Sequence, residues 1–271
     1  MKLVISAVSA VAAALVLSAL PAAAAPVEVR PASPSIPKAV VKATNSAVAE
    51  GDRLTLRVRV PKAGRAKRVV LQERRIDVLG NPQWDDVDSK RARARLKFRH
   101  TVTAANESAY RVAVTYEGRV KPVLSRASRV TVWRWIPVRE FAPYFETSGA
   151  SYSQANLSGA AYATWGPYVW ASSYRSWEAR VTPGRNCTQF RAVLGLADTS
   201  DDGSTGTISF TADDALVYQS PTLTPGMTVP LALDLPTPYR FGMSAANTSA
   251  DRVKAFPMVG NGEFYCTGIP A

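Results

Sequence analysis

Cys187 and Cys266 are the only cysteines in this 271-residue chain, and they bracket one strand-rich block. The chain begins with an export-type leader, and two unpaired thiols are disfavoured in an oxidising compartment, so the pair is expected to be bonded. Such a bridge closes a loop of about eighty residues and contributes on the order of 4–5 kcal/mol on the loop-entropy model. Between the cysteines run CTQFRAVLGLAD, a turn-rich TSDDGSTG, TISFTAD, LVYQS, VPLALDL and YRFGMSAA. Each short run is bounded by Pro, Gly, Asp or Asn, the rhythm of an antiparallel β-sandwich. Phe190, Val193, Leu194, Ile208, Phe210, Leu216, Val217, Leu231, Leu233 and Leu235 are its candidate core.

The leader consists of Met1-Lys2, an apolar run from Leu3 to Leu20, then Pro21 and alanines. This pattern reads as a secretory signal over residues 1–24, cut after Ala24 because Pro26 hinders cleavage one residue later. An uncleaved anchor is the alternative, since the apolar run is near the spanning minimum, but its alanine-rich end is only weakly hydrophobic. No cysteine follows it to carry a lipid, and no stable membrane span is expected after its removal. Residues 25–38, rich in Pro, Ser and Ala, read as an extended linker.

Over residues 39–136 the strands AVVKAT, LTLRVRV, RVVLQERR, ARLKFRHTV, YRVAVTY and SRVTVW follow at short intervals. Leu54, Leu56, Val58 and Val60 alternate with Thr55, Arg57 and Arg59, so one face is buried and the other wet. Val112 and Val114 repeat the pattern, and the layout resembles the Ig-like modules of secreted bacterial proteins, without the cysteine pair of antibody domains. Charge divides the chain: residues 26–140 carry +14 and residues 141–271 carry −3. Arg91, Arg93, Arg95, Lys97 and Arg99 alternate through one segment, with Arg57, Arg59, Arg65, Lys67 and Arg68 as candidate extensions. Two readings stand: a face that holds an anionic polymer by counterion release, or a solvated face whose charge protects a sheet edge. No aromatic platform or recognised nucleic-acid motif accompanies the charges, so no specific nucleic-acid partner is expected.

Residues 133–177 hold 12 of the chain's 24 Phe, Trp and Tyr residues. Rings with an apolar face and a polar tip suit sugars, which makes Tyr162, Trp165, Tyr168, Trp170 and Trp177 candidate carbohydrate contacts. The other reading places these rings in a sandwich core or at a domain joint.

From Tyr162 to Gly268 the chain resembles the NPCBM family of carbohydrate-binding modules. The resemblance runs through Gly166-Pro-Tyr168, the Phe190-x-Ala192-x-Leu194-Gly195-Leu196-x-Asp198 segment, the Phe210, Asp214, Tyr218 and Ser220 pattern, TPGMTVPLALDL and YRFGMSA. It implies a galactose-binding-like jelly roll and sugar recognition. The family's closing segment, with Trp and acidic residues, is replaced here by Phe256-Pro-Met-Val-Gly and then Cys266. The alanine-rich leader and the pairing of modules resemble secreted actinobacterial proteins. The expected fold is therefore all-β: two antiparallel β-sandwich domains, an Ig-like sandwich over 39–136 followed by a jelly-roll sandwich over 137–271.

His100 is the only histidine, no nucleophile elbow is present, and the cysteines are spoken for, so hydrolase triads and zinc sites lack their parts. Phosphate-loop and dinucleotide fingerprints are absent. A glycosidase needs only two carboxylates, such as Glu178 and Glu263, but two small sandwiches argue against it. Asp198, Asp201 and Asp202 do not have EF-hand spacing, and no metal or other cofactor is expected. The expected activity is non-catalytic binding of an extracellular or cell-wall glycan by the second domain. The alternatives are a structural or protein-interaction role without sugar binding, and polyanion binding by the first domain.

Overall fold

The computed structural model describes residues 36–103, 106–167 and 175–270. The leader, most of the expected linker, Tyr168 and Trp170 lie outside the described residues. The first half forms β1 (Val40–Ala43), β2 (Ala47–Ala49), β3 (Arg53–Arg59), β4 (Ala66–Ile76), β5 (Pro82–Arg91), β6 (Arg95–Thr101), β7 (Asn106–Tyr116), β8 (Val123–Leu124), β9 (Ser128–Arg129) and β10 (Thr131–Pro137). A three-stranded sheet in the order β1-β3-β6 faces a sheet in the order β5-β4-β7-β8, which β9 joins through β7. Leu54, Leu56 and Val58 of β3, with Phe98, meet Val69, Leu71, Val112 and Val114 in one core. The period-two alternation of the sequence is thus the physical alternation of β3. Ile36 already packs against this core.

The second half forms β11 (Phe145–Glu146), β12 (Ala150–Leu157), β13 (Ala160–Pro167), β14 (Ser176–Val181), β15 (Cys187–Leu196), β16 (Gly206–Ala212), β17 (Ala215–Gln219), β18 (Thr228–Asp234), β19 (Phe241–Asn247) and β20 (Pro257–Cys266). One sheet runs β11-β14-β19-β16-β17, and the other is built on β20, which pairs with β15 along one edge while β15 carries β18 beyond it. Phe190, Phe210, Phe241 and Phe264 fill the space between the sheets. The Phe190 ring centroid lies 4.9–5.1 Å from those of the other three. Cys187 and Cys266 are directly opposed on β15 and β20, fully buried and bonded as expected.

Two expected core residues face elsewhere. Leu216 is 61 % exposed. The pairing of β16 with β17 jumps from Phe210↔Tyr218 to Thr211↔Leu216. The extra residue at this bulge shifts the alternation of facing along β17. Val193 alternates with the buried Ala192 and Leu194 and turns outward.

β10 has two partners. Thr131, Val132 and Trp133 pair in parallel with β2, and Arg134 to Pro137 pair antiparallel with Cys266 to Glu263 of β20. The boundary expected at 136/137 falls inside this strand, and Ile136 contributes to the second core.

The first core encloses one charged group. Glu73 is fully buried, with His100 Nε2 at 3.2 Å from Oε1. Beside it, the buried Tyr110 hydroxyl lies against the Glu73 carboxylate. Burial, reinforced by the Glu73 charge, therefore holds the Tyr110 phenol above the usual tyrosine value of 10.0. The folded state disfavours phenolate whereas the unfolded chain does not, so this contribution is intact below about pH 10 and lost above it. Urea midpoints at about pH 8 and about pH 11 are expected to fall more for the native chain than for Tyr110→Phe. Equal falls would show that other groups govern alkaline unfolding.

Candidate functional site

The groove of interest opens where β20 changes partner. Along its far edge β20 pairs with β10 at Glu263–Cys266 and with β13 at Val259–Gly260. Between these lie Asn261 and Gly262. Asn261 adopts φ 46°, and its Oδ1 accepts a hydrogen bond from the Ala163 N–H at 3.1 Å, which leaves the amide nitrogen as a donor. A Cβ at Gly262 would sit 3.1 Å from Val138 Cγ2, so a larger residue here would press on that side chain. The gap yields a groove of about 570 Å³ whose walls include Pro137, Tyr152, Arg191, Pro230, Asn261 and Glu263. That volume lies within the range of small-molecule sites.

Its polar wall is fixed in advance. Arg191 donates from Nε to Glu263 Oε2 at 2.7 Å, its Nη2 lies 2.5 Å from the same oxygen, and its guanidinium stacks 4.1 Å over Trp135. Trp135 in turn packs on Tyr265 at 5.1 Å, and Tyr265 stacks on Trp133 at 5.5 Å. This ladder follows from the sequence locally: Trp133 and Trp135 are two apart on β10, and Trp135 is registered opposite Tyr265. The Arg191 guanidinium and the Tyr265 ring both pack on Trp135, so the ladder braces Arg191. The open ring is Tyr152, 39 % exposed and 5.8 Å from Trp165.

The aromatic residues singled out from the sequence take other places. Trp177 is 2 % exposed and donates its indole N–H to the Pro257 carbonyl at 2.9 Å, and Trp165 is 6 % exposed. Rings without an open face cannot stack on a sugar, so for both the core reading of the aromatic stretch is the correct one. Tyr162 is half-buried in a small cluster with Leu157, Phe256 and Met258. Sequence reading passed over Tyr152, Arg191 and Glu263 as sugar contacts. The available signal was Trp-Arg-Trp spacing on a strand that must pair with the Glu263-containing segment.

Carboxylates elsewhere are occupied structurally. Asp198 accepts the backbone N–H groups of Ser158 and Gly159 at 2.7 and 2.8 Å, clamping the β12–β13 turn, and Asp201 accepts Lys254 N–H at 2.7 Å. No cluster suited to a metal ion occurs among the described residues. Trp177 and Ala179 point into the second core, so Glu178 points out of its sheet. Glu263 leaves the opposite sheet on its own outer side, where Arg191 holds it.

Of the candidate extensions, Arg57 and Arg59 lie on β3 and share the outer face of β1-β3-β6, whereas Lys67 and Arg68 lie on β4 of the other sheet and Arg65 in the turn before it. Arg95, Lys97 and Arg99 alternate along β6 as expected, and all are exposed. Arg91 ends β5 and Arg93 lies in the connection to β6, so these two leave that strand face. Among the described residues no helix is long and apolar enough to cross a membrane.

No family model matches the chain, and no curated protein matches it. Solved structures do. A CBM51 and INT domain pair from the ZmpB protein of Clostridium perfringens is similar over 59 % of this chain at 14 % identity and a TM-score of 0.39; the match spans 38 % of that chain. A CBM51 module from a Clostridium perfringens GH95 protein, solved with methyl-galactose, is similar over 48 % of this chain and 99 % of its own, at 9 % identity and a TM-score of 0.40. Tandem CBM51 modules from a family 98 glycoside hydrolase of Streptococcus pneumoniae are similar over 85 % of this chain and 82 % of theirs, at 9 % identity and a TM-score of 0.40.

Proposed function

We propose that this is a secreted, non-catalytic binding protein that holds an extracellular or cell-wall glycan in the groove beside Tyr152. In this reading residues 39–136 form an Ig-like spacer and residues 137–271 an NPCBM-like binding module. The observation that carries the reading is the interrupted partner edge of β20. It sets an open tyrosine ring against a braced Arg191–Glu263 pair and the Asn261 amide, with Pro137 and Pro230 as apolar walls. Sugars ask for this mixture: an apolar ring for their C–H face and fixed donors and acceptors for their hydroxyls. Because Arg191 is already immobilised, little side-chain entropy remains to be lost on binding. The buried disulfide is in keeping with an oxidising, extracellular setting.

The test is binding of the mature protein to a panel of soluble glycans and wall polysaccharides in high salt, where long-range charge attraction is screened. Tyr152→Ala and Glu263→Gln are expected to weaken the best ligand about tenfold or more, equivalent to ~1.4 kcal/mol, with melting temperature little changed. Full affinity in both variants would remove the groove from the function. Absence of any glycan binding would favour the structural or protein-interaction role, which the burial of Trp165 and Trp177 also suits.

A further inference from the structure

The outer face of the β1-β3-β6 sheet carries Lys42, Arg53, Arg57, Arg59, Arg95, Lys97 and Arg99, and no carboxylate shares its outward positions. The strand register places like charges directly opposite one another. Lys42, Arg57 and Lys97 form one row across three strands, and Arg59 stands opposite Arg95 in the next. Among the described residues none of the seven forms an ion pair. Like charges directly opposed across strands are destabilising. The other sheet of the same half mixes signs along much of its length, although Arg68 stands opposite Arg91 there: Arg75 lies 3.4 Å from Asp85, and Arg111, Gln72 and Asp86 are linked by hydrogen bonds. A merely solvated face would be expected to mix signs in the same way.

We infer that this face is a docking track for a linear anionic polysaccharide. Alternate residues along a strand are about 7 Å apart and neighbouring strands about 5 Å apart, so Arg95, Lys97 and Arg99 form a line of cations matched to charges repeating at about that interval. Five of the seven cations are arginines, whose planar forks grip carboxylate or sulfate through two parallel hydrogen bonds. At one end of the track, Lys38, Arg59 and Arg95 border a shallow depression of about 350 Å³ that is otherwise lined by Val40, Val60, Pro61 and Ala94. The face has no aromatic ring for stacking bases, which separates it from a nucleic-acid platform. The choice of a polysaccharide rests on the glycan reading of the groove, whereas the anion-binding character of the face stands without it.

The experiment uses the mature protein with heparin and polygalacturonate as probes, dextran as a neutral control and duplex DNA as a competing polyanion. The expected result is heparin or polygalacturonate binding that weakens steeply with salt. The double variant R57E/K97E should lose at least about tenfold, while the charge-matched R119E/K121E, outside the face, should lose less than about threefold. Arg57→Glu alone should weaken binding yet raise the melting temperature, because the new carboxylate would face Lys42 and Lys97. Tyr152→Ala should leave this salt-sensitive binding unchanged, so failure of the groove and failure of the track are read separately. Equal losses in the two double variants, DNA binding as tight as the polysaccharides, or no binding at low salt would overturn the inference.

Discussion

C187A/C266A is expected to lose about 4.5 kcal/mol of unfolding free energy, the loop-entropy value for cross-linked residues 79 apart in sequence. For a chain of this size that corresponds to a melting temperature lower by roughly 10–18 °C. The effect should be local first. The bonded residues stand opposite each other at the end of the β15–β20 ladder, and Arg134 of β10 pairs with Cys266 on its other side. Without the bond, amides of residues 134–137 and 263–266 should lose hydrogen-exchange protection before those of β16 and β19. Both cysteines are buried, so native protein should resist a reductant that cleaves the bond readily in denaturant. A double variant with unchanged melting temperature and exchange would show that the sheet registers itself without the cross-link.

Phe190→Ala is expected to cost about 3–5 kcal/mol. Its fully buried ring touches those of Phe210, Phe241 and Phe264, which come from three other strands of both sheets. Truncation leaves a cavity bounded by large rings on opposing sheets, and rings braced against one another collapse poorly into the space. Phe190→Leu should cost less than half as much in the same urea titration, because most of the volume is kept. A loss below about 1 kcal/mol for Phe190→Ala would mean that the two sheets close the gap.

Much of the fold is legible from alternation. Leu54, Leu56 and Val58 declare a strand with one wet face, and Phe190, Leu194, Ile208 and Phe210 declare the second core. The hairpin β12–β13 is less legible, because SYSQANL and AAYATWGP are poor in β-branched residues; its turn, Ser158-Gly159 with φ 52° and 79°, is the surviving signal. The polar run PQWDDVDSKR hides β5 for a related reason: its position comes from pairing with β4, so its own side chains need little hydrophobicity. The basic face was readable on β6, but the row of Lys42, Arg57 and Lys97 required the register. The groove was hidden more deeply. Trp165 and Trp177 look like sugar platforms in a string of letters, whereas strand facing sends them inward and leaves the open ring to Tyr152.

β10 also bears on how such a chain can be reshuffled. A segment that pairs three residues with β2 and four with β20 cannot be transplanted as a self-contained cassette. Cutting after residue 136 strips the second half of its Cys266–Glu263 partner, and cutting before residue 131 leaves β2 with an open edge. Recombination between genes encoding such pairs would therefore be tolerated only when both neighbours travel together, and inheritance of the two halves as a unit is the expected signature in any lineage that carries them.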